Sequence, residues 1–398
     1  MSSHYPSGLS RARIEGDAAL SLFQLAPDRL HLNHGSYGAL PKSVAAEQER
    51  IRAQIERDPT SFFNNVLPGE LRRLAGLAAE RFGGEAKDWV FVENATFAVS
   101  SVLSSFPLRD SDEILTTSHA YGAVLKAMRV YAARQGAKLV IADIPSIIES
   151  EDQIVEAIVR AFTPQTKLLI VDHITSPTAI VFPVARIARL ARERGIAALV
   201  DGAHAPGHID IDVNAIGADW YTGNAHKWLF APRGCGLLWT APHRQRLTLP
   251  AVLSHGVETG YMAAFDWVGT RDVTAWLSFE AALGAHQRFG GSDLMVRNRA
   301  LAEVAGQSVA EKLGGRLSAP TQMRCSMAAI DLGPIGCDVS RGDMLRWNIA
   351  TQHKIITAIF HFDSRIWLRL SAQLYNRRDD YAALAKVISE SLAIGVQR

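Results

Sequence analysis

Short apolar runs alternate with longer amphipathic stretches through the first two thirds of the chain. Glu113 to Thr117, Lys138 to Ala142, Lys167 to Val171 and Ile196 to Val200 read as buried strands, and Trp89 to Val92 as a further one. Tyr121 to Gln135, Glu151 to Phe162 and Val184 to Arg194 carry the apolar spacing of helices between them. Strands that are apolar on both faces and separated by helices predict an α/β fold, a mostly parallel sheet covered by helices. Ligands in such sheets sit at the carboxyl ends of the strands. Asp201, which follows Val200, therefore stands where chemistry is expected.

Beyond Trp276 the pattern changes. A long helical stretch with glycine interruptions runs through Leu313, followed by apolar strands at Met327 to Leu332 and Arg365 to Leu370 and a final amphipathic helix from Asp379 to Leu392. This predicts a smaller C-terminal α+β domain. The expected organisation is an N-terminal segment 1–30, a large domain 31–270 and a small domain 271–398, tightly joined because no linker rich in Pro, Gly and Ser separates them.

Composition narrows the function. Of 398 residues, 48% are hydrophobic and 21% charged, as in ordinary globular proteins. Forty-two Lys and Arg against forty Asp and Glu leave a net charge of +2, which supplies no basic stripe for nucleic acid. Cys235, Cys325 and Cys337 are widely spaced, which argues against a disulfide framework or a zinc site and for a reducing cytoplasm. The stretch Met1 to Asp17 lacks the apolar run of a signal peptide, and no segment reaches the ~18 to 20 apolar residues of a membrane helix. A cytoplasmic protein with no membrane contact is expected.

Two segments carry the chemistry, Asp201-Gly202-Ala203-His204 and Asn224-Ala225-His226-Lys227-Trp228. A strand-end carboxylate and a lysine among aromatic neighbours suit pyridoxal 5'-phosphate: Lys227 to form the Schiff base, Asp201 to keep the pyridine nitrogen protonated. Such a lysine needs burial or cationic neighbours to lose its proton, and His226, Trp228 and Phe230 offer that setting. His204 can reach the ring or its phenolic oxygen from the same turn as Asp201. Taken singly, Lys227 also reads as a surface lysine beside a turn, and Asp201 as a helix cap or ion-pair partner. A phosphate cradle is available at Asn94-Ala95-Thr96, between the strand Trp89 to Val92 and the helical run Phe97 to Ser105, where helix-start N–H groups and the Thr96 hydroxyl would hold a dianion. Plain capping by Asn94 is the alternative. His226 offers a further phosphate contact.

These segments, with Leu32-Asn33-His34-Gly35-Ser36-Tyr37-Gly38 and Arg369-Leu370-Ser371-Ala372-Gln373-Leu374-Tyr375-Asn376, resemble the class V aminotransferase family of pyridoxal-phosphate enzymes, fold type I. Within it they look most like the isopenicillin N epimerase branch, whose relatives include carbon–sulfur lyases. The resemblance spans about residue 30 to the carboxyl terminus. It implies that Lys227 carries the cofactor and shuttles the proton, that Asp201 partners the ring nitrogen and that Tyr121 stacks over the ring. It further implies that Arg369 grips the substrate α-carboxylate and that Ser176 and Asn33 lie beside cofactor and substrate. Thr270 would reach the phosphate of a neighbouring subunit's cofactor, which makes the expected assembly a homodimer with its active site at the interface.

One departure bears on the reaction. Desulfurases of this family carry a nucleophilic cysteine shortly before the carboxylate-binding arginine, whereas Ile349 to Leu368 contains none and Cys337 comes early. Persulfide-forming desulfurization is therefore disfavoured. The expected activity is proton abstraction at Cα of an amino acid or amino-acid conjugate with Lys227 as base. Epimerisation, with Tyr121 as the opposing acid, leads. Carbon–sulfur lysis and transamination share the same carbanion. A ligand-sensing protein without turnover is the reading from another class, and a structural protein without this chemistry is the last.

Overall fold

The computed structural model describes residues 15–334 and 340–395. After the short β1 (Leu30–His31), one sheet is formed by β2 (Trp89–Val92), β3 (Glu113–Thr117), β4 (Lys138–Ala142), β5 (Thr166–Asp172), β6 (Ala197–Gly202), β7 (Trp220–Asn224) and β8 (Gly236–Thr240). Its seven strands run in the order β2-β8-β7-β6-β5-β3-β4. The β3–β4, β3–β5, β5–β6 and β6–β7 pairs are parallel, and β8 is antiparallel to both its neighbours. Parallel neighbours need a long crossover, supplied for example by the helices Gly122–Arg134 and Val184–Arg192. β7 and β8 are joined by a loop without a helix, so β8 returns antiparallel.

β4 is the exception to the expectation of buried strands. It lies at the sheet edge with only β3 beside it, and Ile141 is 41% exposed. Its apolar sequence reflects strand propensity more than burial.

The C-terminal part holds β9 (Arg316–Leu317), β10 (Met327–Pro334), β11 (Ile355–Ile356), β12 (Ala358–Phe362) and β13 (Arg365–Ser371). Four of them form an antiparallel sheet in the order β12-β13-β10-β9. β11 pairs instead with β1, in parallel, which ties the residues before the large sheet to the C-terminal part. The long helical stretch after Trp276 is two helices, Phe279–Arg288 and Ser292–Leu313. Gly290 and Gly291 break it at φ 123° and 56°, backbone values that favour glycine. Phe279, Ala282 and Ala285 pack under the large sheet, whereas Ala302, Ala305 and Val309 join Ile330 and Leu368 in a second core. Among the described residues no helix is long and apolar enough to cross a membrane.

Candidate active site

Parallel pairing puts Asp172 at the end of β5 in register with Asp201 at the end of β6, so both carboxyls leave the sheet on the same side. They line one cavity of about 310 Å³ with Lys227, His204, Asn94, Thr96 and Tyr121. Asp201 is turned into it by the tight bend that follows, where its Oδ1 accepts from the Ala203 N–H at 2.9 Å. Burial raises the pKa of both acids, and the charge of Asp201 pushes Asp172 further upward.

Lys227 enters from the loop between β7 and β8. The loop is pinched where the Ala225 N–H donates to the Cys235 carbonyl at 3.0 Å, and it carries the buried Phe230 at φ 68°, an unfavourable value for a bulky residue. Surrounding contacts hold that conformation: Phe230 packs against Phe23, His34 and Phe289. His34 lies 3.0 Å from the Lys227 carbonyl through Nε2 and 2.9 Å from the Tyr375 hydroxyl through Nδ1. A carbonyl only accepts, so Nε2 carries the hydrogen and Nδ1 accepts from Tyr375. Burial holds the His34 pKa down at about 3, and the ring stays neutral. At Gly38, φ 69°, an added Cβ would stand 2.0 Å from the His226 carbonyl, so only glycine lets the amino-terminal turn lie on the lysine loop.

Inside the cavity Lys227 Nζ is 3.1 Å from His204 Nε2. Burial lowers the lysine to about 7; the Arg369 charge pushes the same way, and Asp201 and Asp172 oppose it. The neutral amine is therefore well populated at neutral pH. Capture of pyridoxal phosphate by the apoprotein is expected to accelerate as pH rises through about 7 and then level off. Stopped-flow absorbance checks this, and a rate still climbing tenfold per unit toward the ordinary lysine range of about 10.4 would contradict it. His204 itself is held well below the usual histidine range by burial and the nearby Lys227 charge.

A cup for an anion lies at the start of the helix Ala95–Ser105. Asn94 caps it, its Oδ1 accepting from the Phe97 N–H at 3.0 Å, and Asn224 Oδ1 accepts from the Ala95 N–H at 2.9 Å. The Thr96 N–H has no protein partner among the described residues, and Thr96 lines the cavity. Gly236 lets β8 pass behind the cup: a Cβ there would come within 2.7 Å of Asn94 Cα. His226 also lines the cavity, its Nδ1 3.3 Å from the Cys235 carbonyl and its pKa lowered to about 4 by burial and then by Lys227.

A second chamber of about 510 Å³ adjoins the first and shares Ser36, Tyr37, Tyr121 and Ser176 with it. Arg369, from β13, stands in its wall. Nη1 donates to the Ser176 carbonyl at 2.6 Å and Nη2 to the Ser36 hydroxyl at 3.0 Å, with Asn33 Oδ1 at 3.4 Å. Its Nε is sealed from solvent without a partner among the described residues. Tyr121 precedes the helix Gly122–Arg134 and is 45% exposed. Thr270 is exposed and lines neither chamber of its own chain, although the next residue, Arg271, pairs with Glu93 at the cavity rim.

Two comparisons settle the kinship. The family model "Aminotransferase class-V" matches residues 77–384. The chain belongs to the class-V aminotransferase family. The isopenicillin N epimerase of Streptomyces clavuligerus is 31% identical, covering 92% of this chain and 95% of its own length. A putative L-cysteine desulfhydrase of Oryza sativa subsp. japonica is 30% identical over 92% of this chain and 83% of its own. Among solved structures, a lysine-to-alanine mutant of C-DES with glycine covalently linked to its PLP cofactor superposes with a TM-score of 0.76 at 18% identity, covering 90% of this chain and 96% of that one. The class-V fold thus accounts for the α/β architecture read from the sequence.

The cavity fits the cofactor of class-V enzymes on its own terms. It offers an amine near neutrality, buried acid at a strand end and a free helix-start N–H for a phosphate. Sequence reasoning missed Asp172, Asn224 as support for the cup, Ser36 as an arginine partner, and Arg233, which also lines the cavity. Asp172 ends an apolar strand as Asp201 does, and that parallel was the available signal. Cys235 and Cys325 are buried, with both thiols pushed up, Cys325 to about 12, and neither lines the two chambers. Cys337 lies outside the described residues.

Proposed function

We propose that this protein is a pyridoxal-phosphate enzyme that removes the Cα proton of an amino acid or amino-acid conjugate, with epimerisation as the leading outcome. The observation that carries the reading is the shared cavity of Lys227 and Asp201, with the Arg369 chamber opening beside it. Pyridoxal phosphate supplies an electron sink that makes a bond at Cα breakable. Lys227 holds it and moves the proton at Cα through Nζ. Asp201 would partner the ring nitrogen, and His204, 3.1 Å from Lys227 Nζ, would reach the ring or its phenolic oxygen. Asn94, Ala95, Thr96 and His226 take the phosphate. Arg369, backed by Ser176, Ser36 and Asn33, orients the substrate α-carboxylate, a fork-shaped task that guanidinium geometry suits.

Epimerisation needs a second proton donor opposite the lysine, and Tyr121 is the group proposed. Tyr121 and Arg369 line the same chamber. Phenylalanine at 121 keeps the ring and removes the acid. Tyr121→Phe is expected to retain Cα hydrogen exchange in deuterated water while losing inversion by about 10²-fold or more, the scale of a positioned acid. Equal loss of both would mean that the ring matters only for stacking. Carbon–sulfur lysis is the second reading, favoured by the desulfhydrase similarity. Incubation with a panel of amino acids and cysteine conjugates in deuterated water separates the outcomes: label with inverted configuration supports epimerisation, pyruvate with released sulfur compound supports lysis, and a keto acid with aminated cofactor supports transamination.

The working unit we propose is a cytoplasmic homodimer in which Thr270 reaches the phosphate bound by the partner. Its exposure on the isolated chain suits that role. Thr270→Ala is expected to weaken cofactor affinity about tenfold, the order of one hydrogen bond to a charged group. A monomeric protein in sedimentation would refute the arrangement.

A further inference from the structure

Asp172 has no part in the proposed roles of Lys227, Asp201 and Arg369, yet it is a buried acid whose charged form its burial disfavours. It is 6% exposed, faces Asp201 across in-register parallel strands and lines the cofactor cavity with it. Neighbouring strands lie about 4.8 Å apart, so two carboxylates meet at close range with little water between them. The groups around the pair are few. The Tyr121 main chain, just before the helix Gly122–Arg134, favours the charged form of Asp172 and so opposes the effect of burial. Lys227 is the cation that acts on both acids. On β7 the residue in register with Asp201 is the neutral Thr222, while Tyr221 leaves the other face and bonds to His173, and His204 is neutral. Two buried like charges this close favour retention of a proton by the pair.

We propose that Asp172 and Asp201 hold one proton between them before the cofactor docks, and that this proton passes to the ring nitrogen on binding. The carboxyl O–H bond breaks, an N–H bond forms, and two carboxylates then face one pyridinium. The acid that keeps the ring charged would thereby arrive already carrying its proton. Asp172 is in this sense a positioning residue for charge, acting through Asp201.

Proton counting tests the proposal without reference to turnover. Asp172→Asn keeps the size of the side chain but removes its acid, so Asp201 is left alone and ionised and the ring nitrogen must take its proton from solvent. Calorimetry of pyridoxal phosphate binding at pH 7, in buffers of different ionisation enthalpy, should show about one more proton taken up by D172N than by the parent. Correspondingly, the variant's affinity should fall about tenfold more per unit of rising pH. Infrared difference spectra of the parent protein should also lose a protonated-carboxyl band on binding. Visible absorbance in the same titration reports that the cavity has loaded, so a failure of cofactor binding is distinguished from a failure of the proton transfer. Equal proton uptake by both proteins, or no loss of the carboxyl band in the parent, would overturn the proposal, and the infrared result stands even if D172N does not fold.

Discussion

Replacing Lys227 with alanine should abolish both the borohydride-trappable cofactor and turnover, the latter by at least about 10⁴-fold, the upper range for one positioned proton-transfer group. Two losses combine. In the proposed mechanism the amine both anchors the cofactor and moves the Cα proton, and its Nζ lies 3.1 Å from His204 Nε2. Stability should suffer little or improve, because a buried lysine lowered to about 7 opposes folding whenever it must be charged. The sign follows from linkage. Between about 7 and the unfolded lysine value the unfolded chain binds more protons, so parent stability rises with pH across that window while the alanine variant lacks this contribution. Added alkylamine offers a control, since partial rescue of Cα exchange would show that the missing function is the proton transfer. Full turnover in the variant would remove Lys227 from the mechanism.

How much of this was legible beforehand depended on whether a residue acts through its own chain neighbours or through distant ones. β3, β5 and β6 were readable because each is buried on both faces and bounded by helices, so that local pattern and tertiary context agree. β7 was not, since Trp220-Tyr-Thr-Gly-Asn owes its burial to strands on both sides and not to an apolar sequence. β4 failed in the opposite direction, an apolar run left at the edge. In the site, Asp201 and Lys227 sit in distinctive local settings. Ser36 became visible only when the fold carried the amino-terminal turn across to Arg369, a separation no period or spacing encodes. Asp172 was hidden for another reason. Its meaning lies in the register between β5 and β6, which a single sequence leaves open.

Arg369 makes the most discriminating variant after the lysine. Its guanidinium is buried, its pKa is lowered by that burial to about 10, and Nη1 and Nη2 are held by Ser176 and Ser36. Those partners are neutral, so the positive charge has no carboxylate of its own among them. A substrate α-carboxylate would supply one. Arg369→Leu removes the charge and the donors while keeping an apolar stem, and truncating one member of a buried charged pair costs about 2 to 5 kcal/mol. The corresponding fall in kcat/KM is about 30-fold to several thousandfold. If the arginine only docks the substrate, the loss should appear mainly in KM; a parallel loss in kcat would mean that it also orients Cα over Nζ. Arg369→Lys should recover little, because an ammonium cannot present two parallel donors from the span that Ser176 and Ser36 define. Amines that lack the carboxylate provide the decisive comparison: they should react equally slowly with the parent and with Arg369→Leu, and a variant that still prefers the carboxylated substrate by the parent's factor would place the carboxylate site elsewhere.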